Sequence, residues 1–371
     1  NKDWLEAFAV FMAIKSQQGF VSWSEWPQPL RMRDPKAIAS FKRNYAEEIE
    51  FQSYLQFVFF NQWQSVRDHA KQKGIRIIGD IPIFMGFDCS DVWAYPELFL
   101  LDKERRPTHV AGVPPDFFSE TGQLWGNPLY DWKEHKEQGY AWWIRRIKET
   151  LKTVDLIRLD HFRGFAGFFR IPAEAETAEI GKWVDGPGKS FFDTLQDSLG
   201  ELPFIAEDLG VITPDVIELR DRYNFPGMKL FQFAFWGDAD AEFLPHNYPR
   251  HCVAYTGTHD NNTLQGWLQK EIKVSQKRNL KQYLGKNIRI KNAHWELIRM
   301  AQASVAYLAV IPVQELLGLG EEARMNYPSF ADNNWQWRLT TEQMSEMKKH
   351  ALPRLKELTQ TYGREKIPKK S

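Results

Sequence analysis

The sequence predicts an α/β protein built on parallel strands, with a (β/α)8 barrel of the TIM type as the first choice. Three observations carry this. Six short apolar runs recur along the chain, at 74–85, 154–160, 202–210, 228–235, 252–260 and 307–318. Most are nearly continuous in apolar character, as strands buried on both faces of a parallel sheet are. Helical segments such as YAWWIRRIKETLK and TPDVIELRDRY lie between them, and strand alternating with helix is the α/β pattern. Four of the runs end in acidic or polar residues: Asp80, Asp160, Glu207 with Asp208, and His259 with Asp260. In parallel barrels the functional groups sit where strands end, on the C-terminal face. A doubly wound sheet would also place its site there. It more often carries a glycine-rich phosphate loop, and no GxGxxG or Walker motif occurs. About six of eight barrel strands are therefore present.

Taken in order, residues 4–15 and 35–73 predict helices. The second opens on Pro35 at a first-turn position, after Asp34 as N-cap. Residues 1–73 form a helical segment leading into a catalytic barrel over 74–371. Long insertions follow the first and second strands, at 86–132 and 164–190. Connections of this length are usually functional or disordered. The first contains GVPPDFFSETGQLWGNPLYDW, and its aromatics argue for function. There are no internal repeats or low-complexity tracts, and the tail YGREKIPKKS reads as a frayed end. The chain starts inside a helical pattern without a methionine, so a fragment or a processed product is expected.

Composition narrows the function classes. The 371 residues are 43% hydrophobic and 26% charged, which suits a globular, soluble chain. Lysines plus arginines number 48, as do aspartates plus glutamates. That balance argues against a nucleic-acid or anionic-membrane partner. No apolar run reaches the ~18 residues of a membrane span, and NKDWLEAFAV is not a signal peptide. Two cysteines, Cys89 and Cys252, without a CxxC, suit a reducing compartment: the cytoplasm, or the plastid in a plant. They predict neither a disulfide scaffold nor a zinc site. The 15 tryptophans and 26 phenylalanines build a core, and they also suit a site that stacks flat sugar faces.

The charged strand ends carry the chemistry. Alternation puts Arg158 and Asp160 on one face, and a guanidinium beside a carboxylate keeps it ionised, as a nucleophilic Asp requires. A structural ion pair at the strand end is the competing reading. Asp155, at the opposite end, is read as structural. Glu207 and Asp208 follow LPFIA, and only one of them faces inward. An acid emerging from an apolar strand is partly desolvated and poised as a proton donor; the alternative makes Asp208 a turn cap and Glu207 merely exposed. In TGTHDNN, His259 and Asp260 are placed to bind hydroxyls. A metal is disfavoured for want of a helical His pair or a second ligand cluster. The glycosylation sequon at residues 261–263 is ascribed to chance. Trp125, between glycines in GQLWGNP, is read as a stacking platform, whereas Trp142 and Trp143 fall in a helical pattern and are read as core. Three carboxylates on strand ends match retaining glycosyl transfer, where one is nucleophile and one the acid/base. No GxSxG occurs, and neither cysteine has a convincing His partner.

With these motifs assembled, the chain resembles the amylomaltases, the 4-α-glucanotransferases or disproportionating enzymes of the α-amylase clan. The match runs through WLEAFAVFMAIK, WPQPLRMRDP, GIRIIGDIPIF, PPDFFSETGQLWGNPLYDW, IRLDHFRGF, IAEDLG, FLPHNYP, YTGTHDNNT and NWQWR, in family order. The resemblance implies Asp160 as nucleophile, Glu207 as general acid/base and Asp260 as transition-state stabiliser. It implies Arg158 and His259 as supports of the nucleophile and donor sugar, and Trp125 and Gln123 on a loop over the acceptor side. It places Asp80 at a strand end near the site and Asn334 on a site-facing loop. It implies no metal and no organic cofactor. The implied partners are maltooligosaccharides and α-1,4-glucan from starch or glycogen. The resemblance further implies a preceding segment of roughly 130 to 150 residues bearing two more strands, a missing N-terminal part of the same enzyme. Asn333 stands where the family usually has Gly, and Asn tolerates positive φ better than most residues.

The expected activity is transfer of α-1,4-glucan segments by a retaining double displacement. Two alternatives accompany it: an amylase-like retaining hydrolase using the same carboxylates, and a non-catalytic glucan-binding fragment.

Overall fold

The computed structural model describes residues 1–115, 119–286, 290–328, 330 and 332–365. Within PPDFFSETGQLWGNPLYDW, residues 116–118 lie outside the described residues. The described strands are, in chain order, β1 (Ile78–Pro82), β2 (His109–Val113), β3 (Gln123–Pro128), β4 (Leu156–Asp160), β5 (Gly167–Pro172), β6 (Lys182–Asp185), β7 (Phe204–Ala206), β8 (Gly227–Leu230), β9 (Cys252–Tyr255) and β10 (Leu308–Val310). The six apolar runs supply β1, β4, β7, β8, β9 and β10, and every pairing among these is parallel. The chain divides into two compact units, Asn1–Phe225 and Pro226–Ser371.

In the first unit the parallel sheet has the order β1-β4-β7. β7 is buried along its whole length, and Ile157, Arg158 and Leu159 are buried in β4. β1 lies at an edge and exposes Ile78, Asp80 and Pro82, which the run of isoleucines alone does not foretell. Register sets Asp80 beside Arg158 and Pro82 beside Asp160. Behind the sheet, helices Ala141–Leu151 and Gly188–Leu199 deliver Trp143, Phe191 and Phe192 to a core that also holds Phe162 and Phe165. Trp142 and Trp143 are buried.

The insertions at 86–132 and 164–190, read as long connections, carry regular structure among their described residues. They contain an antiparallel sheet of order β3-β2-β5-β6. Its strands escape sequence reading because Gly112, Gly126 and Gly167 interrupt them and a register shift falls between Val110 and Gly112, which breaks period-two alternation. Trp125 therefore sits on strand β3. The helix expected over 35–73 is two, Pro35–Asn44 and Ala46–Gln72, broken at Tyr45 (φ −123°, ψ 33°). At the first helix start, the Asp34 carboxylate accepts from the N–H groups of Lys36 and Ala37, the N-cap arrangement its position predicts.

In the second unit the parallel order is β10-β9-β8. β8 and β9 are buried throughout. Helix Ile290–Ala303 brings Leu297, Met300 and Ala301 against Phe231, Ala254 and Trp267. No helix among the described residues is long and apolar enough to cross a membrane.

Candidate active site

Each unit carries a polar cluster at the C-terminal ends of its parallel strands. In the first unit the cluster is built on Arg158. Its side chain shares a face with Asp160, two residues on, and with Asp80, its neighbour across the sheet. The buried guanidinium therefore reaches both carboxylates, Nη1 to Asp80 Oδ2 at 2.5 Å and Nη2 to Asp160 Oδ1 at 3.0 Å. Such close pairing favours the ionised form of Asp160. Asp155, at the other end of β4, accepts from Ile77 N at 2.7 Å and pairs with Arg67 at 2.8 Å, so it ties the strand to helix Ala46–Gln72.

Glu207 follows β7 directly. Its backbone N–H donates to Leu159 O at 3.0 Å. Its carboxyl accepts from the backbone N–H of His161 (2.8 Å) and of Leu209 (3.1 Å). The residue as a whole is only partly buried, yet the protein packed around the carboxyl, and then the charge of Asp160, raise its pKa to about 8, against the pull of Arg158 and the two N–H groups. A carboxyl so placed holds its proton at neutral pH. Asp208 turns the other way. It is buried and pairs with Arg220 at 2.5 Å, which fastens helix Pro214–Arg222.

Trp125 and Gln123 share one face of β3, and the indole Nε1 donates to Gln123 Oε1 at 3.1 Å. The indole is 38% exposed, enough to offer a face. Its edge meets the ring of His161, with centroids 4.8 Å apart. Arg163 is occupied locally: it donates to Val211 O at 2.6 Å and lies over Trp183 at 4.0 Å.

In the second unit, β9 leads into residues 256–262. Asn261 Oδ1 accepts from the N–H and hydroxyl of Thr258, at 2.9 and 2.7 Å, which folds the segment into a tight turn. Asp260 is held at both oxygens, by Asn326 Nδ2 on Oδ1 (2.7 Å) and by His259 Nε2 at 3.2 Å from Oδ2. Arg324 donates to the backbone carbonyl of Asp260 at 2.9 Å. Beneath the turn lie buried Thr256, Gln232 and Glu315. The Thr256 hydroxyl bonds the Glu315 carboxyl. A Cβ on Gly257 would meet Glu315 Oε1 at 2.8 Å and Gln232 Nε2 at 3.0 Å, so a larger residue there would displace these side-chain ends. Thr263 of the sequon is buried and caps Gly266 N at 3.0 Å. Asn334 is used inside its own loop, accepting from Tyr327 N (2.8 Å) and donating to Phe330 O (2.7 Å). Asn333 adopts φ 63°, as its residue type allows. Trp335 stacks at a tilt on His259, 5.0 Å between centroids.

The structure thus groups Asp80, Arg158, Asp160 and Glu207 in one unit, and His259 and Asp260 in the other. Sequence reasoning missed Arg324, Asn326, Gln232 and Glu315. A polar ARMN segment in the loop after β10 was the available signal for the first two. Among the described residues, no group of three or more His, Cys, Asp and Glu side chains is placed to hold a metal ion.

Parallel strands that end on carboxyl groups, one ion-paired and one holding its proton, define an α/β protein with a candidate acid–base site at its strand ends. Residues 1–344 match the 4-alpha-glucanotransferase family (glycoside hydrolase 77), and the chain belongs to it. A 4-alpha-glucanotransferase of Thermus thermophilus is 50% identical over 348 residues, covering 92% of this chain and 69% of the relative. The chloroplastic/amyloplastic 4-alpha-glucanotransferase of Solanum tuberosum is 45% identical, covering 97% and 62%. Among solved structures, amylomaltase from Streptococcus agalactiae in complex with acarbose superposes with a TM-score of 0.93 at 38% identity, covering 98% of this chain and 72% of that one.

Proposed function

We propose that the chain transfers α-1,4-glucan segments between maltooligosaccharides by a retaining double displacement. The observation that supports this most is the contrast between two carboxyl groups. Asp160 lies 3.0 Å from a buried guanidinium, while Glu207 is raised to about 8. Opposed environments of this kind separate a nucleophile from an acid. Glu207 protonates the leaving glycosidic oxygen as Asp160 attacks the anomeric carbon. The product leaves, and a covalent glucosyl-enzyme remains. Glu207, now ionised, takes the proton of an acceptor 4-hydroxyl, whose oxygen displaces Asp160; two inversions give net retention. In this reading Asp260 stabilises the positive charge that develops on the sugar, and His259 holds sugar hydroxyls. Asp80 keeps Arg158 in place, Trp125 and Gln123 form the acceptor-side platform, and Asn334 shapes its loop. No step calls for a metal or organic cofactor.

The α-glucan substrate class is supported by the likeness to an amylomaltase solved with acarbose. Starch- and glycogen-derived chains belong to that class. The catalytic barrel occupies 74–371 in this reading, after a helical lead-in of 1–73. A cytoplasmic or plastid setting agrees with only two cysteines. Maltotriose is the test. Transfer yields glucose and longer maltooligosaccharides with little net gain in reducing ends. A steady rise in reducing ends would instead establish hydrolysis, and absence of any product would leave a glucan-binding protein.

A further inference from the structure

His161 stands immediately after the Asp160 strand end and is absorbed by neither half of the mechanism. Its backbone has φ 52°, the left-handed region that a residue with a Cβ enters only when its surroundings impose it. The consequence of that turn is specific: the His161 N–H points at Glu207 Oε2, 2.8 Å away, and the next N–H, of Phe162, reaches the Glu207 carbonyl at 3.0 Å.

The side chain of the same residue goes elsewhere. The ring meets Trp125 edge-on at 4.8 Å and 85° and lies 6.3 Å from Phe84. It also packs onto Gly164, where an added Cβ would lie 3.2 Å from ring atom Cδ2. Nε2 is buried with no hydrogen-bond partner among the described residues. Burial, and then the charge of Arg163, push the imidazole down to about 4. The ring is therefore neutral at pH 7 and adds no cation beside Glu207, whose charged neighbours are Asp160 and Arg158.

We propose that His161 is a positioning residue that ties the Trp125 platform to the Glu207 carboxyl: its ring braces the indole while its left-handed backbone holds the acid. The inference rests on reading Trp125 as the acceptor platform and Glu207 as the acid/base.

The two halves of the residue are separable by substitution. His161→Gly keeps the left-handed turn and removes the ring; His161→Asn is a second variant that tolerates the same φ. Both are expected to raise the acceptor KM about three- to tenfold, the range of one aromatic pair, with the alkaline limb of kcat unmoved. Trp125→Ala raises the same KM, and adding His161→Gly to it costs nothing further, because contacting residues are non-additive. His161→Val, β-branched and unable to keep φ positive, swings the N–H off Glu207. It is expected to lower kcat and move the alkaline limb upward, since a bond that favoured the carboxylate is lost; His161→Gly at the same position restores both. Acceptor kinetics with saturating maltoheptaose as donor, at pH 5–10, with a melting curve for each folded variant, read all of this. Trp125→Ala raising KM while the two effects multiply would overturn the brace alone. Trp125→Ala leaving KM unchanged would overturn the platform reading and the inference together. A limb unmoved in His161→Val would overturn the backbone half.

Discussion

The protonation of Glu207 gives the sharpest prediction. With a pKa of about 8, its carboxyl is ~90% protonated at pH 7, where a glutamic acid at 4.5 would be only ~0.3% protonated; the fold makes the acid about 300-fold more available. Initial rates of glucose release from maltotriose should therefore hold to near pH 8 and then fall about tenfold per unit. The same shift has a stability cost, with its sign set by linkage. Between about 4.5 and about 8, folded Glu207 keeps a proton that the unfolded chain has released. Stability is thus fullest below the unfolded pKa and declines as pH rises through that window. Taken whole the shift is worth ~4–5 kcal/mol; the residue is only partly buried, which reduces this to a few. Glu207→Gln removes the titration and keeps the shape. It should abolish transfer, melt like the parent near pH 4, and melt several degrees higher at pH 8. Buried Glu315, also raised to about 8, slopes both proteins equally and cancels in the difference. Glucose release failing near pH 5, or parallel melting of the two proteins from pH 4 to 8, would refute the argument.

The other predictions concern what surrounds the carboxyls. Asp160→Asn and Asp260→Asn should each lower kcat by more than ~10³-fold with melting temperatures near that of the parent; retained turnover in either removes that residue from the mechanism. Arg158→Met leaves Asp80 and Asp160 facing one another without the guanidinium that now bridges them. It should cost about 1–3 kcal/mol, less than a fully buried pair because both carboxylates are 38% exposed, as read by urea unfolding. Glu315→Gln keeps an acceptor for the Thr256 hydroxyl; it should melt near the parent at pH 4 and above it at pH 7, because it removes a titration raised to about 8. Relative to Glu315→Gln, Glu315→Leu strands that hydroxyl and should cost about 1–3 kcal/mol and raise KM as the His259–Asp260 turn loosens. Equal behaviour of the two variants would show that the hydrogen bond carries nothing.

How much of this was legible in the sequence depends on where each constraint originates. A strand buried on both faces tolerates an ionisable residue poorly, so Asp160 and Glu207 stand out at the ends of apolar runs, and the parallel fold follows from the same runs. Partners are another matter. Arg158 was expected to serve Asp160 through two-residue alternation, but its bond to Asp80 depends on register across 78 positions. No spacing told Glu207 from Asp208. The choice was made by Arg220, which reaches back from the next helix to bury Asp208 and leaves Glu207 to the site. Asn326 lies 66 positions from the Asp260 carboxylate it holds, and its residue type is ordinary for a loop. His161 was hardest of all, since its contribution to Glu207 is a backbone N–H aimed by a positive φ, and a histidine code letter announces neither. The residues that chemistry needs are visible because burial penalises them. Those that hold them in place are chosen by loop geometry, which the same letters can satisfy in many ways. Substitutions at Asn326 or His161 are therefore the ones for which a sequence-based forecast of activity should fail most often, although neither side chain carries out a chemical step.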